Sequence, residues 1–435
     1  MTPDYIRPED HIRATSRPSA LRITDMRTAT VGWDGWRFPI VRIDTNQGLS
    51  GYGEVRDGGC KEYALLLKSR LLGENPCDVA RLYRRIRQFG HHGRQGGGVS
   101  GVEMALLDLA GKAYGAPAYQ LCGGRFRDSI RMYCDTPAAE TGEALGQRLL
   151  ERRRRGFTML KMDVGIQPLI GVPGMLAYPA GMLGVADGTP REQALDPGGI
   201  MHPFSFVRLT ERGIAAICER VAAARAVVGD DIPIAADHFG HIGIDDCIRL
   251  GRALEPFHLA WLEDLVPWQY TDQWEQLARA LETPVCTGED IFGYDGFAPL
   301  LRRRAVDIIH PDLATSGGIL ETQRIGDAAQ RQGIAMALHM AGTPISTFAS
   351  VHCAAATENF IALEHHFSDV PFWDAFVDDG APIIRDGFIA VPETPGLGIR
   401  VNEEALAEHL VDDDPLLFAP TPEWDAPRSW DRLWS

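Results

Sequence analysis

The sequence predicts an α/β protein built on a (β/α) barrel of the TIM type, with a smaller α+β domain beside it. The barrel is predicted because short apolar runs recur every 23 to 27 residues and each ends at a residue that can titrate. Buried parallel strands are short and nearly all apolar, and one strand, one helix and two loops take roughly 25–30 residues. Catalytic groups of such barrels gather at the carboxyl ends of the strands. The six run ends are Asp237, Glu263, Glu289, Asp312, His339 and Glu364.

The first part of the chain predicts a separate α+β domain, because strands are followed by helices without alternation. Strands are predicted over 23–31, 38–43 and 51–54, and helices over 61–72, 78–89 and, after a Gly-rich run at 93–98, over 102–114. Helices of the barrel are predicted over about 140–154, 208–228, 244–254, 272–281, 293–303, 318–332 and 344–356. We expect an N-terminal arm at 1–20, a barrel at 129–370, and a capping domain made of 21–128 together with 371–435.

One interval is longer than a barrel unit requires. Lys161 and Asp237 are 76 residues apart, where one unit takes about 30. The excess, residues 166–206, is rich in Gly, Pro and Met and has no regular period. A long connection at the carboxyl rim is usually a lid or a binding loop. A surface elaboration that serves oligomer contacts is the alternative.

Composition limits the classes of function. The net charge of −16, from 43 basic and 59 acidic residues, argues against nucleic acid or an anionic membrane as partner. The eight cysteines show no paired spacing, which predicts reduced thiols in a cytoplasmic protein. No apolar signal region opens the chain, and no apolar span approaches 20 residues. A small-molecule substrate is therefore favoured.

Three acidic residues predict a metal site. Asp237, Glu263 and Glu289 follow one another at intervals of 26 residues, so they should reach the same end of successive strands. Converging carboxylates repel one another unless a divalent cation lies between them. Oxygen ligands favour Mg²⁺ or Mn²⁺ over zinc. The sequence thus predicts one Mg²⁺ per subunit, with Mn²⁺ as the alternative.

His339 is the predicted general base. Imidazole titrates near neutrality, so its basicity suits proton abstraction. Asp312, one strand earlier, would orient the ring through its other nitrogen. Lys161 and Asp163 are two positions apart on one predicted strand, so both side chains should point into the barrel.

Together these residues resemble the mandelate racemase branch of the enolase superfamily. The resemblance covers most of the chain and implies a modified (β/α)7β barrel whose N-terminal capping domain is completed by the C-terminal segment. It also implies a carboxylate substrate, proton abstraction beside that carboxylate with the enolate stabilised by Mg²⁺, and a homo-oligomer of two to eight subunits. Glu364 resembles the electrophilic acid of the family; the alternative is that it binds a neighbouring basic group. The residues that carry the resemblance are Lys161-Met162-Asp163, Asp237, Glu263, Gly288-Glu289-Asp290, Asp312, His339 and Glu364.

One position departs from the resemblance. Racemases of this family carry a second lysine where this chain has Asp163. A carboxylate is a weaker base, so two-base racemisation is disfavoured and elimination from a single face is favoured. Lys161 would neutralise the substrate carboxylate. The proton for the leaving hydroxyl would come from His339, Lys161 or His238; His238 directly follows a predicted metal ligand and is equally well explained as structural.

Loops of the capping domain should reach the barrel mouth and contact substrate. Arg94 would neutralise a second carboxylate, and Trp33, His91 and His92 suit a polyhydroxylated substrate. With Asp163, these are the predicted substrate-binding residues. The sequence therefore predicts a Mg²⁺-dependent dehydratase that converts an aldonate or aldarate to a 2-keto-3-deoxy acid. The alternatives are a racemase, epimerase or lactone cycloisomerase on the same platform, and a non-catalytic metal-stabilised binding protein.

Overall fold

The computed structural model describes residues 14–91, 93–177, 207–237, 239, 242–378 and 380–427. Within them the chain forms a closed barrel of eight parallel strands and a separate three-stranded antiparallel sheet, so the predicted fold class is confirmed. Several predictions fall outside the described residues. They concern His92, His238, most of the 166–206 insert and the first part of the N-terminal arm.

The antiparallel sheet opens the capping domain. Its strands are β1 (Ile23–Trp33), β2 (Trp36–Thr45) and β3 (Ser50–Glu54), in the order β1-β2-β3. Asp34 and Gly35 join the first two strands with φ values of 48° and 85°. Two positive φ values in a two-residue loop define a type I′ turn, which Asp-Gly favours. The segment predicted as a specificity loop is therefore the tip of a tight hairpin.

The helices of the capping domain differ from prediction in extent. The helix predicted over 61–72 is wrong in length, because only Glu62–Leu65 is α-helical. The helix predicted to follow the Gly-rich run begins inside it, at Gly96. A Cβ on Gly98 would lie 2.1 Å from the Tyr63 carbonyl oxygen, so glycine lets the two backbones touch. The α-helices of the described part of this domain are Glu62–Leu65, Val79–Ile86, Gly96–Tyr114, Ala118–Leu121 and, in the C-terminal segment, Glu403–Glu408.

The barrel follows the predicted period. Its strands, with the short β6 and β7 between the second and third, are β4 (Ser129–Cys134), β5 (Leu160–Asp163), β6 (Leu176–Ala177), β7 (Arg208–Leu209), β8 (Ile234–Asp237), β9 (Leu262–Glu263), β10 (Val285–Thr287), β11 (Ile308–Ile309), β12 (Ala335–Leu338) and β13 (Phe360–His365). Pairing of β13 with β4 closes the barrel. The connecting helices lie close to their predicted bounds, at Gly142–Arg154, Glu211–Val228, Ile244–Leu254, Thr271–Ala280, Gly293–Arg303, Ile319–Gln330 and Pro344–Ala356.

The two ends of the predicted insert meet. Strands β6 and β7 form an antiparallel ladder of their own, outside the barrel. The buried Asp246 carboxylate accepts hydrogen bonds from Leu209 N at 2.9 Å and Arg208 Nε at 3.0 Å. The base of the insert is thus tied to the helix that follows β8. The lid and oligomer-contact hypotheses concern residues beyond this base.

Two glutamates of the capping domain dock it on the barrel. Glu54 accepts hydrogen bonds from Thr343 N at 3.0 Å and Ser346 N at 3.3 Å, at the start of the helix Pro344–Ala356. Glu103 accepts one from Ile319 N at 2.6 Å, at the start of the helix Ile319–Gln330. These acceptors satisfy backbone donors that a helix leaves unpaired. The cap is therefore fixed to the two helices beside Asp312 and His339.

The chain termini contact both domains. Strand β14 (Phe388–Ala390) pairs antiparallel with β4 of the barrel, whereas Leu410 forms a bridge to Val31 of the cap. The C-terminal segment therefore joins the domains rather than returning only to the first. At the other end, Ser16 Oγ donates to Ala113 O at 3.1 Å, so the described end of the predicted arm lies on the cap.

All eight cysteines are free thiols. In the described part of the chain, no helix combines the length and apolar content that crossing a membrane requires.

Candidate active site

Lys161 lies at the centre of an acidic cluster inside the barrel. Its Nζ lies 2.9 Å from Asp237 Oδ2, 2.6 Å from Glu263 Oε1 and 2.7 Å from Glu364 Oε1. All four side chains are buried, and the three carboxylates lie at or next to the last residue of their strands. Burial lowers the pKa of Lys161, but the three carboxylates overcome this and the pKa lies well above its ordinary value. Lys161 is therefore a fixed ammonium, which disfavours its predicted part as proton donor.

Glu263 lacks a full complement of positive charge. Burial, and then the neighbouring Asp237, raise the pKa of Glu263 well above its ordinary value. Trp261 Nε1 donates to Glu263 Oε2 at 2.6 Å, and His310 Nδ1 lies 3.5 Å from Oε1. The negative charge around Glu263 is therefore not fully balanced, and a further cation would stabilise its ionised form.

Glu289 has different neighbours from the other two predicted metal ligands. Its Oε1 lies 3.1 Å from an Arg56 guanidinium nitrogen, and its Oε2 lies 3.1 Å from His339 Nε2. Burial alone would raise the pKa of Glu289, but His339 and Arg56 hold it below its ordinary value. The three predicted ligands thus form a row in which Asp237 and Glu263 face Lys161, whereas Glu289 faces the predicted base.

The structure brings His339 and Asp312 together. His339 Nδ1 lies 2.7 Å from Asp312 Oδ2, and both side chains are buried. Asp312 also accepts from Ala314 N at 2.6 Å and so caps the short helix Leu313–Ser316. Burial raises the pKa of Asp312, but Arg56 and His339 bring it below its ordinary value. The other ring nitrogen of His339 points into the acidic cluster.

The sequence left two roles open for Glu364, an electrophilic acid and a carboxylate that binds a neighbouring basic group. Its Oε2 accepts from the Tyr133 hydroxyl at 3.0 Å, and its other oxygen faces Lys161. Burial would raise the pKa of Glu364, but Lys161, His366 and His339 place it well below its ordinary value. An ionised Glu364 beside an ammonium favours the alternative, a carboxylate that binds a basic group.

Arg56 is a site residue that the sequence reasoning missed. It follows β3 in the capping domain, and its side chain is 3% exposed. Its guanidinium contacts Asp312 and lies 2.8 Å from His339 Nδ1. Nothing in the spacing of the chain signals these contacts, because Arg56 and Asp312 are 256 residues apart.

His366 is a second missed residue. Its Nε2 lies 3.2 Å from Glu364 Oε1, its Nδ1 lies 3.6 Å from Asp135 Oδ2, and its ring centre lies 5.4 Å from that of His339. Burial lowers the pKa of His366, but Glu364 and Asp135 raise it to about 9. The sequence held a signal for it, since residues two apart in an extended chain share a face and His366 lies two positions after Glu364.

The predicted substrate-binding residues do not form one group as the residues of the acidic cluster do. Trp33 packs among aromatic rings, with its centre 4.8 Å from Phe38 and 5.0 Å from Phe367. His91 and Arg94 line a cavity of about 660 Å³ between cap and barrel loops. Arg94 lies 3.4 Å from Asp290 and 3.7 Å from Asp57, so its charge already has partners. Asp163 Oδ2 accepts from Ala138 N at 3.3 Å.

The buried side chains of the cluster fit a divalent cation. The pKa of Lys161, of His310 (to about 10) and of His366 is raised in each case despite burial, which indicates an excess of negative charge. Both ring nitrogens of His310 are buried without a hydrogen-bond partner among the described residues. Of the predicted ligands, Glu289 presents a ligand atom within 4.8 Å of those of Asp264 and His310, and Glu263 does so with Cys286 and His310, whereas neither group of described residues includes Asp237. A donor set rich in carboxylate oxygen suits a hard cation such as Mg²⁺.

A closed parallel barrel with a carboxylate cluster at its mouth and an α+β cap over that mouth defines a class of capped-barrel enzymes. Residues 144–405 match the family model described as enolase C-terminal domain-like. Residues 11–123 match the N-terminal domain of the mandelate racemase / muconate lactonizing enzyme family. The chain therefore belongs to the enolase superfamily, in its mandelate racemase / muconate lactonizing enzyme group, as the sequence predicted.

Known relatives align over nearly the whole chain. A D-xylonate dehydratase of Haloferax volcanii is 34% identical over 91% of this chain and 90% of its own length. A D-galactarolactone cycloisomerase of Agrobacterium fabrum is 26% identical over 90% of this chain and 96% of its own. A solved structure of a mandelate racemase/muconate lactonizing enzyme-like protein from Rubrobacter xylanophilus superposes with a TM-score of 0.77 at 33% identity, covering 92% of this chain and all of that one.

Proposed function

We propose that this hydro-lyase removes water from a sugar acid, taking the proton beside the carboxylate and expelling the β-hydroxyl to give a 2-keto-3-deoxy acid. The observation that carries the proposal is the Asp312–His339 pair aimed into the carboxylate cluster, with Asp163 rather than a second lysine on the Lys161 strand. An aldonate is favoured over an aldarate, because Arg94 already pairs with Asp57 and Asp290. The D-xylonate dehydratase named above supports this choice.

Asp237, Glu263 and Glu289 would hold Mg²⁺. When bound there, the cation would stabilise the negative charge that develops on the substrate carboxylate as its neighbouring carbon loses a proton. Lys161 contacts two of these ligands and balances part of their charge. Mn²⁺ would meet the same ligand requirements.

His339 would take the proton through Nε2. Asp312 holds Nδ1 at 2.7 Å, which orients the ring and stabilises the positive charge that the ring acquires. The protonated ring would then serve the leaving hydroxyl on the same face, in a syn elimination. His366 is the second donor that the geometry offers, because its ring centre lies 5.4 Å from that of His339.

The proposal is tested by incubating the protein and Mg²⁺ with a panel of aldonates and aldarates and assaying for keto acid. We expect turnover of at least one aldonate. His339→Asn should lower kcat at least about 100-fold and leave Mg²⁺ affinity unchanged. The matched control is His409→Asn, because His409 is a half-buried histidine of the C-terminal segment. Failure of every sugar acid to yield keto acid, or near-normal turnover by His339→Asn, would contradict the proposal.

Isomerisation is the second candidate, and the cycloisomerase relative favours it. A base that abstracts the α-proton can also return it or permit ring opening. Deuterium that enters recovered substrate without keto-acid formation would support an epimerase or racemase. A lactone consumed or formed in an NMR time course would support a cycloisomerase.

We also expect a homo-oligomer of two to eight subunits in a reducing, cytoplasmic compartment, with eight free thiols as the supporting observation for the compartment. Sedimentation velocity tests the first expectation. A monomer at micromolar concentration would contradict it.

A further inference from the structure

Arg56 is the one arginine of the described chain that joins the cap to both the predicted base pair and a predicted metal ligand. Its Nη1 contacts Asp312 and lies 2.8 Å from His339 Nδ1, while its Nη2 lies 3.1 Å from Glu289 Oε1. Its Nε lies 2.6 Å from Asp57 Oδ1. One planar guanidinium thus spans three groups of the barrel and one of the cap.

The backbone that carries Arg56 is fixed on several sides. Val55 N donates to Pro39 O at 2.8 Å within the cap sheet, and Glu54 caps the barrel helix that starts at Pro344. A Cβ on Gly97 would lie 2.9 Å from Arg56 N, so the glycine-rich helix presses directly on this segment. The position of the guanidinium therefore depends on how the cap docks.

We propose that Arg56 is a positioning residue through which the cap sets the orientation of the Asp312–His339 pair, and that its guanidinium would share Glu289 with a cation bound there. The role of Arg56 in orienting the Asp312–His339 pair rests on the proposed function. The sharing of Glu289 concerns charge balance at a metal ligand and can be tested without turnover.

A guanidinium presents several donors in one rigid plane, whereas a lysine ammonium is a single point charge on a flexible stem. Lysine at this position would keep a positive charge near Glu289 but could not contact Asp312 at the same time as the planar guanidinium does. Removing the charge altogether would take from Glu289 the guanidinium nitrogen that lies 3.1 Å from its Oε1 and free that oxygen for a metal ion.

The experiment compares Arg56→Met and Arg56→Lys with the wild type. Arg42→Met is the matched control, because Arg42 is a cap arginine that pairs with Asp44 at 2.8 Å and Glu403 at 2.9 Å away from the site. The first readout is Mn²⁺ titration of metal-free protein by electron paramagnetic resonance, without substrate. The second is the separate measurement of kcat and KM on whichever sugar acid the wild type turns over.

For Arg56→Met we expect Mn²⁺ to bind about threefold to tenfold tighter, because a competing cation has gone. Its kcat should fall about 100-fold through misplacement of the base, with KM changed less than about threefold. Arg56→Lys should bind Mn²⁺ as the wild type does and still lose kcat at least about tenfold. Arg42→Met should match the wild type in both readouts.

Unchanged or weaker Mn²⁺ binding by Arg56→Met overturns the sharing of Glu289. Near-normal kcat in Arg56→Lys, or a loss confined to KM, overturns the positioning role. If the wild type does produce keto acid, either of these results for the variants leaves the proposed function intact. If the wild type turns over no sugar acid, the proposed function fails and the Mn²⁺ titration alone decides the inference.

Discussion

Replacing Asp312 by asparagine should separate the predicted base from the group that orients it. Asp312 Oδ2 lies 2.7 Å from His339 Nδ1, and the Asp312 side chain is only 3% exposed. Asparagine has nearly the same size and still caps the helix nitrogen of Ala314, so the fold should survive. The change removes the negative charge that both the His339 ring and the Arg56 guanidinium contact.

The magnitude follows from the contacts of the imidazole. A hydrogen bond to a charged partner is worth roughly 1.5–3 kcal/mol, and about 1.4 kcal/mol changes a rate tenfold. The loss of this bond should therefore lower kcat about 10- to 150-fold. Arg56 increases the effect, because its Nη1 lies 2.8 Å from His339 Nδ1 and would oppose a proton on the ring once the Asp312 charge is gone. We expect a loss near about 100-fold.

The assay is steady-state release of keto acid at saturating Mg²⁺, with kcat and KM determined separately. Asp108→Asn is the control, because Asp108 is also buried and accepts from Tyr52 N at 3.0 Å and Leu397 N at 2.8 Å, remote from the site. This control should lower the melting temperature and keep kcat within about threefold. A kcat for Asp312→Asn within threefold of the wild type would refute the assigned role of the pair.

Three further outcomes are expected. His366→Gln should lower kcat more than about tenfold if its Nε2 serves the leaving hydroxyl; an unchanged rate would remove it from the reaction. Burial raises the pKa of Glu54 to about 8, so the stability that its protonated form adds is complete below its ordinary pKa of 4.5 and is lost as the pH rises through about 8. The melting temperature of the wild type relative to Glu54→Gln should thus fall between about pH 5 and pH 8.5, and a flat difference would contradict this. Chelation with EDTA should abolish keto-acid release and added Mg²⁺ should restore it; activity that survives chelation would exclude the metal.

The part of the fold that could be predicted from the sequence is the part whose sequence pattern repeats, namely the barrel. Each barrel unit is a local pattern, so apolar runs and helical segments placed the barrel helices close to their observed bounds. The cap was harder, because its long helix begins within a glycine run that local propensity disfavours. There the helix exists because glycine allows it to touch the neighbouring backbone, as Gly98 does at Tyr63.

Spacing by itself determined the row of strand-end groups, since parallel strands of one barrel must end at the same rim. It also determined that Asp312 and His339 come from neighbouring strands. Only the tertiary structure decided how those groups are shared: Lys161 lies among three carboxylates, and Arg56 reaches the base pair from 256 positions away in the chain. The reason is physical, because periodicity governs where a strand ends but carries no information about which distant charge the folded chain will place against it.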